Sequence, residues 1–426
     1  MKRRITAAAA ALLMLLLCAC GNPKLFTDEE KLTGTVSRSK DITQTYNYAD
    51  GAQEPPTSYK NYISGMMDFS LRQLRQHSQD AKESFVFSPA SAALQLGALA
   101  NGASGDTRSE ILLALTGTLG LDDLNACSSY FKSRLESVSR AGKKEAPAEC
   151  LTFGGALCID KSIDVKTSFL QAEKDFYGYD VFRYDFKDAH AADKLNGALS
   201  AYTSDSGIDF PEGSAVNAVS AFSLNDGWIE AASESVKGTF NGTNGAQTLD
   251  FFTSPVKLLH SDRADAVLKY TAANPLKLLI ILPKDANAFD DYVSRFDAAE
   301  LNKLLDSMDI TKQSTAALPA FSVGSDKKAQ PLSDILTKCG LYTLFGKDAA
   351  FSALSYTQSV KLGGLYELAP VFSLDRNGIN TQTAAAAAQT EPAGLTVDRP
   401  FLFLLLDNES NLPVLAGSFF ENRALN

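Results

Sequence analysis

The feature that most constrains this chain is an uncharged stretch near its C-terminus. It runs from Asn377 to Thr390 and includes five consecutive alanines, in a chain of which 21% is charged. The apolar run Phe401 to Leu406 follows shortly after it. Small uncharged side chains tolerate both water and a packed interior, because they bring neither bulk nor charge. We interpret the stretch as a loop that can enter the fold; an alanine-rich helix and a slack linker are the alternatives.

The composition is that of an ordinary globular protein. The chain has 426 residues, 45% of them hydrophobic, which suffices for a large core in one or two domains. Its formal net charge is -10, and the sequence contains no extended basic cluster. We therefore expect no nucleic-acid partner, because phosphate binding requires a basic face.

The N-terminus predicts export and lipid attachment. Lys2–Arg4 precede the apolar run Ile5–Leu17, which is too short to span a bilayer. The run leads into Cys18-Ala19-Cys20-Gly21, which resembles the signal of bacterial lipoproteins. We expect residues 1–20 to be a signal peptide with Cys20 lipidated at its end, so that the protein is held at the outer face of the cell membrane. A plain secretory signal is the alternative.

Two regions follow the signal. Residues 21–57 are polar and rich in turn-forming pairs, which is typical of a flexible tether, and residues 58–426 predict one folded domain. Its first helix begins near Tyr59. Ser88 then serves as the N-cap of a second helix, which Gly102 and Gly105 end.

Later segments of the domain combine both kinds of element. Apolar runs predict strands at 151–159, 215–222, 276–282 and 317–323. Helical patterns occupy 288–308 and 332–340, and a final hairpin joins 401–406 to 414–420. Early helices, late strands and little βαβ alternation indicate an α+β fold.

Catalytic and metal-binding patterns are weak. We expect surface positions for His77 and His190 and a structural position at a strand end for His260, since none lies in a hydrolase or metal motif. Outside the signal, cysteines occupy positions 127, 150, 158 and 339, and we expect buried free thiols. No cofactor and no metal is expected. A hydrolase is disfavoured because no nucleophile–base pair is recognisable.

Several short motifs resemble the serpin family in content and order. A serpin helix and its following loop are similar to Phe87-Ser88-Pro89-Ala90-Ser91 and Gly102-Ala103-Ser104-Gly105-Asp106-Thr107. The serpin C-terminal signature is similar to Asp398-Arg399-Pro400-Phe401-Leu402-Phe403 and Pro413-Val414-Leu415-Ala416-Gly417. Between them come Asn225-Asp226-Gly227-Trp228 and Leu318-Pro319-Ala320-Phe321 in serpin order. The resemblance covers residues 58 to 422.

The resemblance implies an architecture and a mechanism. The serpin fold has three β-sheets and eight or nine helices, with an exposed reactive loop upstream of Asp398. A serine protease, or a cysteine protease, would attack this loop and form an acyl-enzyme. The cleaved loop would insert as a new strand of the largest sheet and trap the protease. The partner would be an extracellular serine protease, and the inhibitor a monomer without a cofactor.

The resemblance also assigns roles within the loop. The hinge would comprise Gly378, Ile379, Asn380, Thr381, Gln382 and Thr383, and the inserting strand Ala384, Ala385, Ala386, Ala387 and Ala388. Counted alternately from Gly378, the inward side chains would be Ile379, Thr381, Thr383, Ala385, Ala387 and Gln389. None of these is charged, which suits a buried strand.

The bond that is cut falls in a short window. Counting from the hinge gives Pro392-Ala393, whereas counting back from Pro400 gives Gln389. The window therefore comprises Gln389, Thr390, Glu391, Pro392 and Ala393. The absence of Lys and Arg between Asn377 and Asp398 favours an elastase-like or subtilisin-like target over a trypsin-like one. An enzyme specific for Glu391 is the alternative.

The resemblance finally marks where the sheet would open: a breach at Trp228 and a shutter at Ser88, Ser91 and Ser220. Serpins usually have Asn at the position of Ser220 and His at that of Leu368. We expect packing to replace a polar network there. A non-inhibitory serpin-fold lipoprotein, acting as a binding or substrate protein, is the alternative function.

Overall fold

The computed structural model of the chain describes residues 30–39, 53–80, 83–141, 151–188, 190–199, 207–208, 213–272, 276–324, 329–356, 360–368, 371–380 and 394–421. Within these ranges the chain forms nine α-helices and seventeen strands. Cys20, Cys150 and loop residues 381–393 lie outside the described residues. The predictions made for them are therefore not compared with coordinates.

The helices are α1 Tyr59–Asp80, α2 Pro89–Gly102, α3 Gly105–Thr116, α4 Leu121–Ala141, α5 Thr167–Ala172, α6 Ala191–Ala198, α7 Phe289–Ser294, α8 Ala298–Asp306 and α9 Ser333–Lys338. A π-helical turn, Glu173–Tyr177, continues α5. The predicted helix at 288–308 is thus two helices, α7 and α8. Asp297 interrupts it because its side chain accepts a hydrogen bond from the backbone N–H of Glu300 and caps α8.

Helix α2 is central and wholly buried. The hydroxyl of Ser88 accepts a hydrogen bond from the N–H of Ser91 at 3.1 Å, and Pro89 occupies the first turn, as the sequence predicts. Gly102 is its last residue. Gly105 does not end α2 but begins α3, because the extended residue Ser104 separates the two helices.

The strands are β1 Phe85–Phe87, β2 Leu151–Asp160, β3 Asp180–Tyr184, β4 Val216–Gly227, β5 Ser235–Gly242, β6 Gly245–His260, β7 Ala264–Tyr270, β8 Leu276–Pro283, β9 Ser314–Pro319, β10 Phe321–Val323, β11 Ala329–Pro331, β12 Leu362–Leu368, β13 Phe372–Leu374, β14 Gly378–Asn380, β15 Leu395–Thr396, β16 Phe401–Asp407 and β17 Pro413–Phe419. The predicted strand at 317–323 is thus divided between β9 and β10.

These strands form a central sheet and a second, nine-stranded assembly. The central sheet has the order β10-β13-β14-β4-β12-β11, with β2 on β4 and β3 on β2. The assembly has the order β1-β17-β16-β8-β7-β6-β9-β15, with β5 on β6. Since the long strand β6 belongs to both the β1-to-β7 part and the β5-β9-β15 part, the two parts act as separate sheets that share it. The α+β class predicted from the sequence is confirmed.

Two apolar layers enclose the central sheet. On its inner face, residues such as Ala218, Phe222 and Leu224 of β4 share a core with α2. On its outer face, Val219 and Ala221 pack with Leu195 and other residues of the α6 region. Opposite faces of one strand are therefore both buried, which explains why β4 reads as an almost continuous apolar run.

The cysteines and histidines complete the comparison. Cys127, Cys158 and Cys339 are buried free thiols, as expected. His190 is exposed, and His260 ends strand β6. The surface position expected for His77 is wrong: its ring is half-buried and stacks on Phe87 at 4.2 Å between centroids.

Candidate functional site at the opening of the central sheet

A tight turn sends the chain back into the central sheet after β13. The Asp375 carboxylate accepts hydrogen bonds from the backbone N–H groups of Asn377 at 2.7 Å and Gly378 at 3.2 Å. The Asp375 N–H in turn donates to the Gly378 carbonyl oxygen at 3.1 Å. This side-chain turn reverses the chain, so that β14 runs antiparallel to β13.

Strand β14 lies between β13 and β4. Ile379 is opposite Leu374 on one side and Asp226 on the other. The Ile379 side chain is only 1% exposed and joins the inner core. It therefore lies on the face that the alternation predicts to be inward.

Gly378 is required by a close approach of two strands. A Cβ atom at this position would stand 2.0 Å from the Asp226 carbonyl oxygen and 2.8 Å from the Gly227 Cα. No side chain fits such a gap without displacing one of the strands. The glycine thus lets the first hinge residue enter the sheet.

We call the part of the sheet around β14 its upper half and the part where β12 pairs with β4 its lower half. The lower half is arranged differently. There β12 pairs directly with β4 as a parallel neighbour, with Leu365 opposite Ala218 and Glu367 opposite Ser220. Along β4, pairing with β12 ends at Ser220, and pairing with β14 begins at Asn225. The sheet therefore forks at this point, and β14 occupies the open arm.

Trp228 covers the upper end of the fork. Its indole N–H donates to the Asp375 carbonyl oxygen at 2.9 Å, and the ring is 8% exposed. The ammonium group of Lys269 lies 5.0 Å from the ring centroid. Burial lowers the pKa of Lys269 to about 8, although its ammonium group donates to the Glu230 carbonyl oxygen. Trp228 thus ties the turn before β14 to the end of β4.

Ser88, Ser91 and Ser220, assigned to the shutter, are all buried. The Ser88 hydroxyl donates to the Val414 carbonyl oxygen at 2.8 Å, which links the start of α2 to β17. The Ser220 hydroxyl is 3.5 Å from the Tyr366 carbonyl oxygen, across the β4–β12 pair. Ser220 therefore lies at the pair of β4 and β12, while Ser88 lies at the cap of α2 and Ser91 in its first turn.

Glu367 is the shutter residue that the sequence reasoning missed. Its Oε1 accepts the backbone N–H of Ser88 at 2.7 Å, and the side chain is 2% exposed. Burial raises the pKa of Glu367 to about 8, partly offset by the Ser88 hydrogen bond. The signal was present as a single acidic residue on the inward face of an otherwise apolar strand, two residues after Leu365.

The expectation that packing replaces a polar network is only half right. Leu368 does pack, but on the outer face with Val219 and Ala221. A polar link to Ser88 persists one residue earlier, through Glu367. Leu368 ends β12 and belongs to the outer core, whereas Phe372 begins β13 and belongs to the inner core.

Metal-binding clusters and membrane-spanning helices are both absent from the described parts of the chain. Within them, no group of three or more His, Cys, Asp or Glu residues is placed to hold a metal ion. The same ranges contain no helix that is long and apolar enough to cross a membrane. The main feature of the site is the fork in the central sheet, where β14 lies between β13 and β4.

Comparison with known proteins identifies this architecture. The profile of the serpin family, described as serine protease inhibitor, matches residues 64–214 and 250–422. Alpha-1-antiproteinase of Rattus norvegicus is 22% identical over 399 residues, which cover 88% of this chain and 94% of the rat protein.

Two solved structures show the same fold. The thermophilic serpin tengpin in its native state has a TM-score of 0.74 at 21% identity and covers 92% of this chain and 99% of its own. The complex of thyroxine-binding globulin with thyroxine has a TM-score of 0.70 at 20% identity, covering 84% and 98%. Because the family profile spans well over half of the sequence, the chain belongs to the serpin family.

Proposed function

We propose that the protein inhibits an extracellular serine protease by a single-use reaction. The protease cuts within residues 389–393, and the loop inserts into the central sheet with the acyl-enzyme attached. The observation that carries this proposal is the position of β14. Three residues of the prospective strand already lie between β13 and β4, and β4 pairs with β12 below them.

The register of β14 defines the inserted state. Gly378 is opposite Gly227 and Asn380 is opposite Asn225, so each further residue of the loop moves one residue back along β4. Thr383 would reach Phe222, Ala385 would reach Ser220 and Ala387 would reach Ala218. Those β4 residues are buried on the inner face or, for Ser220, buried at the shutter. A strand inserted beside buried residues must have small, uncharged inward side chains, and those of the loop meet this requirement.

Insertion replaces one strand pairing with two. The parallel contact between β12 and β4 is lost, and antiparallel contacts form on both sides of the new strand. At about 0.5–1.5 kcal/mol per net hydrogen bond, the added strand contributes on the order of 10 kcal/mol. This matches the ~5–15 kcal/mol that stabilises a typical protease domain, so insertion is strong enough to distort a trapped protease.

The loop sequence supports an elastase-like or subtilisin-like target. The window from Gln389 to Ala393 offers small, polar or acidic residues before the cut. A trypsin-like enzyme requires Lys or Arg immediately before the bond that it cuts. The loop contains neither residue between Asn377 and Asp398, so it does not suit such an enzyme. A cysteine protease of similar specificity is the second candidate target.

We further propose that lipidated Cys20 holds the inhibitor at the cell surface. Residue Glu30 contacts β3, and β3 aligns through β2 with the β4 residues near Ala218. The hinge aligns with Asp226, about 26 Å further along the strand. An anchor on the N-terminal side of Glu30 would therefore point the reactive loop away from the membrane.

The alternative is a serpin-fold binding or substrate protein. One feature favours it: a cleft of about 840 Å³ opens near the lower end of β12 and is lined in part by Phe345, Phe351 and Tyr356. The other walls include Lys166, Lys347 and Asp348, and such a mixture of apolar and charged groups suits a small polar ligand. Such a protein would be cut in the loop without trapping the protease.

One experiment separates the two functions. The mature protein is incubated with elastase-like, subtilisin-like and trypsin-like proteases and analysed by denaturing gel electrophoresis. The proposal predicts a denaturant-stable 1:1 complex with one of the first two classes, and a cut between residues 388 and 394 by mass spectrometry. Complete cleavage without a complex across the whole panel would contradict inhibition.

A further inference from the structure

Residues 30–39 do not behave as part of a flexible tether. They form a docked segment, which we call the N-terminal clamp, with a short 3-10 helix at Leu32–Thr35. Leu32 is 6% exposed and Thr33 is fully buried. The tether predicted for residues 21–57 therefore does not extend over this part.

One end of the clamp holds β3, the edge strand of the central sheet. Lys31 forms a bridge with Phe182, and the N–H of Arg183 donates to the Glu30 carbonyl oxygen at 2.6 Å. The Thr33 hydroxyl accepts from the N–H of Val181 at 3.2 Å and donates to Asp180 at 3.3 Å. The clamp thus satisfies backbone groups of a strand that would otherwise be exposed at a sheet edge.

The other end holds the helical turn that follows α5. The Asp175 carboxylate accepts the backbone N–H and the hydroxyl of Ser39, each at 2.7 Å. The side-chain amide of Gln171 donates to the Ser37 carbonyl oxygen at 2.8 Å. Asp175 is only 5% exposed, so its carboxylate is held in place by its surroundings, whereas Ser39 itself is exposed.

The two ends contact parts that must separate. Strand β3 pairs with β2, and β2 with β4, so the three strands form one side of the opening at β12. The start of helix α5 is joined to the other side, to the segment that precedes β12. There Val165 forms a bridge with Ser355, and the N–H of Lys166 donates to the Leu354 carbonyl oxygen at 2.8 Å.

The chain connection between the π-helical turn after α5 and β3 is short. It passes through Gly178, whose φ of 66° is left-handed and is readily adopted only by glycine. A hinge at this residue would let β3 move relative to α5. The clamp adds a second connection that bypasses the hinge.

We propose that the N-terminal clamp restrains the β3-β2-β4 half of the sheet and slows loop insertion. The inference rests on the proposed function, because it concerns the same opening between β4 and β12. The clamp protects the native form from spontaneous insertion before a protease has cut the loop. Release of the clamp lowers the barrier to opening.

The test compares full-length mature variants. Thr33→Val combined with Ser39→Ala removes the side-chain bonds at both ends, and Ser37→Ala is the matched control, because only the carbonyl of Ser37 is bonded. The uncut proteins are held at constant temperature, and conversion to a heat-resistant form that no longer complexes protease is followed. We expect about tenfold faster conversion in the double variant and an unchanged rate in the control.

Hydrogen exchange at Val181 and Arg183 reports whether the clamp has been released. Faster exchange there with an unchanged conversion rate would overturn the inference. Unchanged exchange in the double variant would overturn it as well, because the named bonds would then not hold the segment. Absence of a heat-resistant form from every variant, even after loop cleavage, would instead refute the proposed function itself.

Discussion

The upper and lower halves of the central sheet differ in how the strands next to β4 are paired. In the upper half, β14 separates β13 from β4 and has begun a three-strand arrangement. In the lower half, β4 and β12 touch, Glu367 binds the start of α2, and the clamp holds the edge. On the side of β4 that faces away from β2, the neighbour is therefore the antiparallel strand β14 in the upper half and the parallel strand β12 in the lower half.

If the loop inserts as proposed, this difference indicates where the barrier to insertion would lie. The upper half needs no opening, because Ile379 is already buried there. Advance of the loop beyond the fork first meets the pair formed by Ser220 and Glu367. In the proposed mechanism, energy would be gained along the whole strand, and we expect the resistance to be concentrated at this pair and at the clamp.

The largest expected effect comes from a charge on the inward face. Thr383→Arg would place an unpaired guanidinium opposite Phe222 in the inserted strand, where burial costs several kcal/mol. We expect the variant to be cleaved as a substrate, with little or no denaturant-stable complex. Gel analysis after incubation with the target protease measures the partition.

The neighbouring residue provides the control for this experiment. In the same register, Gln382 would lie opposite Ser223, which is half-buried, and next to the exposed Asn225. Gln382→Arg should therefore form complex like the wild type. Equal inhibition by both arginine variants would show that the extrapolated register is wrong.

The next effect is a pH dependence at the lower half. The native pKa of Glu367, about 8, lies above its ordinary value of 4.5, so the native state binds a proton that the unfolded state has released. Its contribution to stability is complete below about pH 4.5, falls as pH rises, and levels off above about pH 8. Across that range the loss amounts to a few kcal/mol.

Glu367→Gln should remove this slope while its amide oxygen still accepts the Ser88 N–H. Denaturant unfolding at pH 5, 6, 7 and 8 measures the difference from the wild type. Some slope will persist, since burial also raises the pKa of Glu173 to about 8. An identical slope in wild type and Glu367→Gln would contradict a buried, neutral Glu367; Glu54→Gln at the exposed surface serves as the control.

A smaller effect is expected at the hinge glycine. Gly378→Ala would force the added methyl against Asp226 and push β14 out of the fork. We expect a loss of roughly 1–3 kcal/mol in the free energy of unfolding and a lower yield of complex. Gly120→Ala is the control, because its Cβ would meet no atom within 4 Å. Unchanged stability of Gly378→Ala would mean that β14 is not held in the sheet.

The smallest effect is expected at the breach. Trp228→Phe removes the hydrogen bond to the Asp375 carbonyl oxygen but keeps an aromatic ring over the turn. We expect a loss of about 1 kcal/mol in stability, measured by denaturant unfolding. A loss comparable to that of Thr383→Arg in complex yield would show that the breach, not the lower half, limits insertion.

Local sequence signals predicted much of the fold. Ser88 and Pro89 predict the start of a helix, because capping involves residues within one turn. The strands β16 and β17 are predicted by their own apolar runs, without knowledge of their partners. The resemblance to serpins assigned the hinge, which begins at Gly378, the second residue of the uncharged stretch. Such features depend on neighbours in the chain and are therefore visible in it.

Two other features depend on distant partners. Glu367 reaches the N–H of Ser88 only because the fold brings β12 to the start of α2, 279 positions away in the chain. The clamp is polar apart from Leu32, Gly34 and Val36 and so has the composition of a linker. Its order comes from backbone groups of β3 and from Asp175, both more than a hundred positions away in the chain. No local pattern encodes those contacts.

The central claim is that the cut loop enters the sheet between β4 and β12. The most direct measurement is the thermal unfolding of the protein before and after cleavage in the loop, with the cut verified by mass spectrometry. The account predicts that the cleaved form unfolds at a markedly higher temperature than the intact form, because a strand paired on both sides completes the sheet. A cleaved form that unfolds at the same or a lower temperature would contradict it.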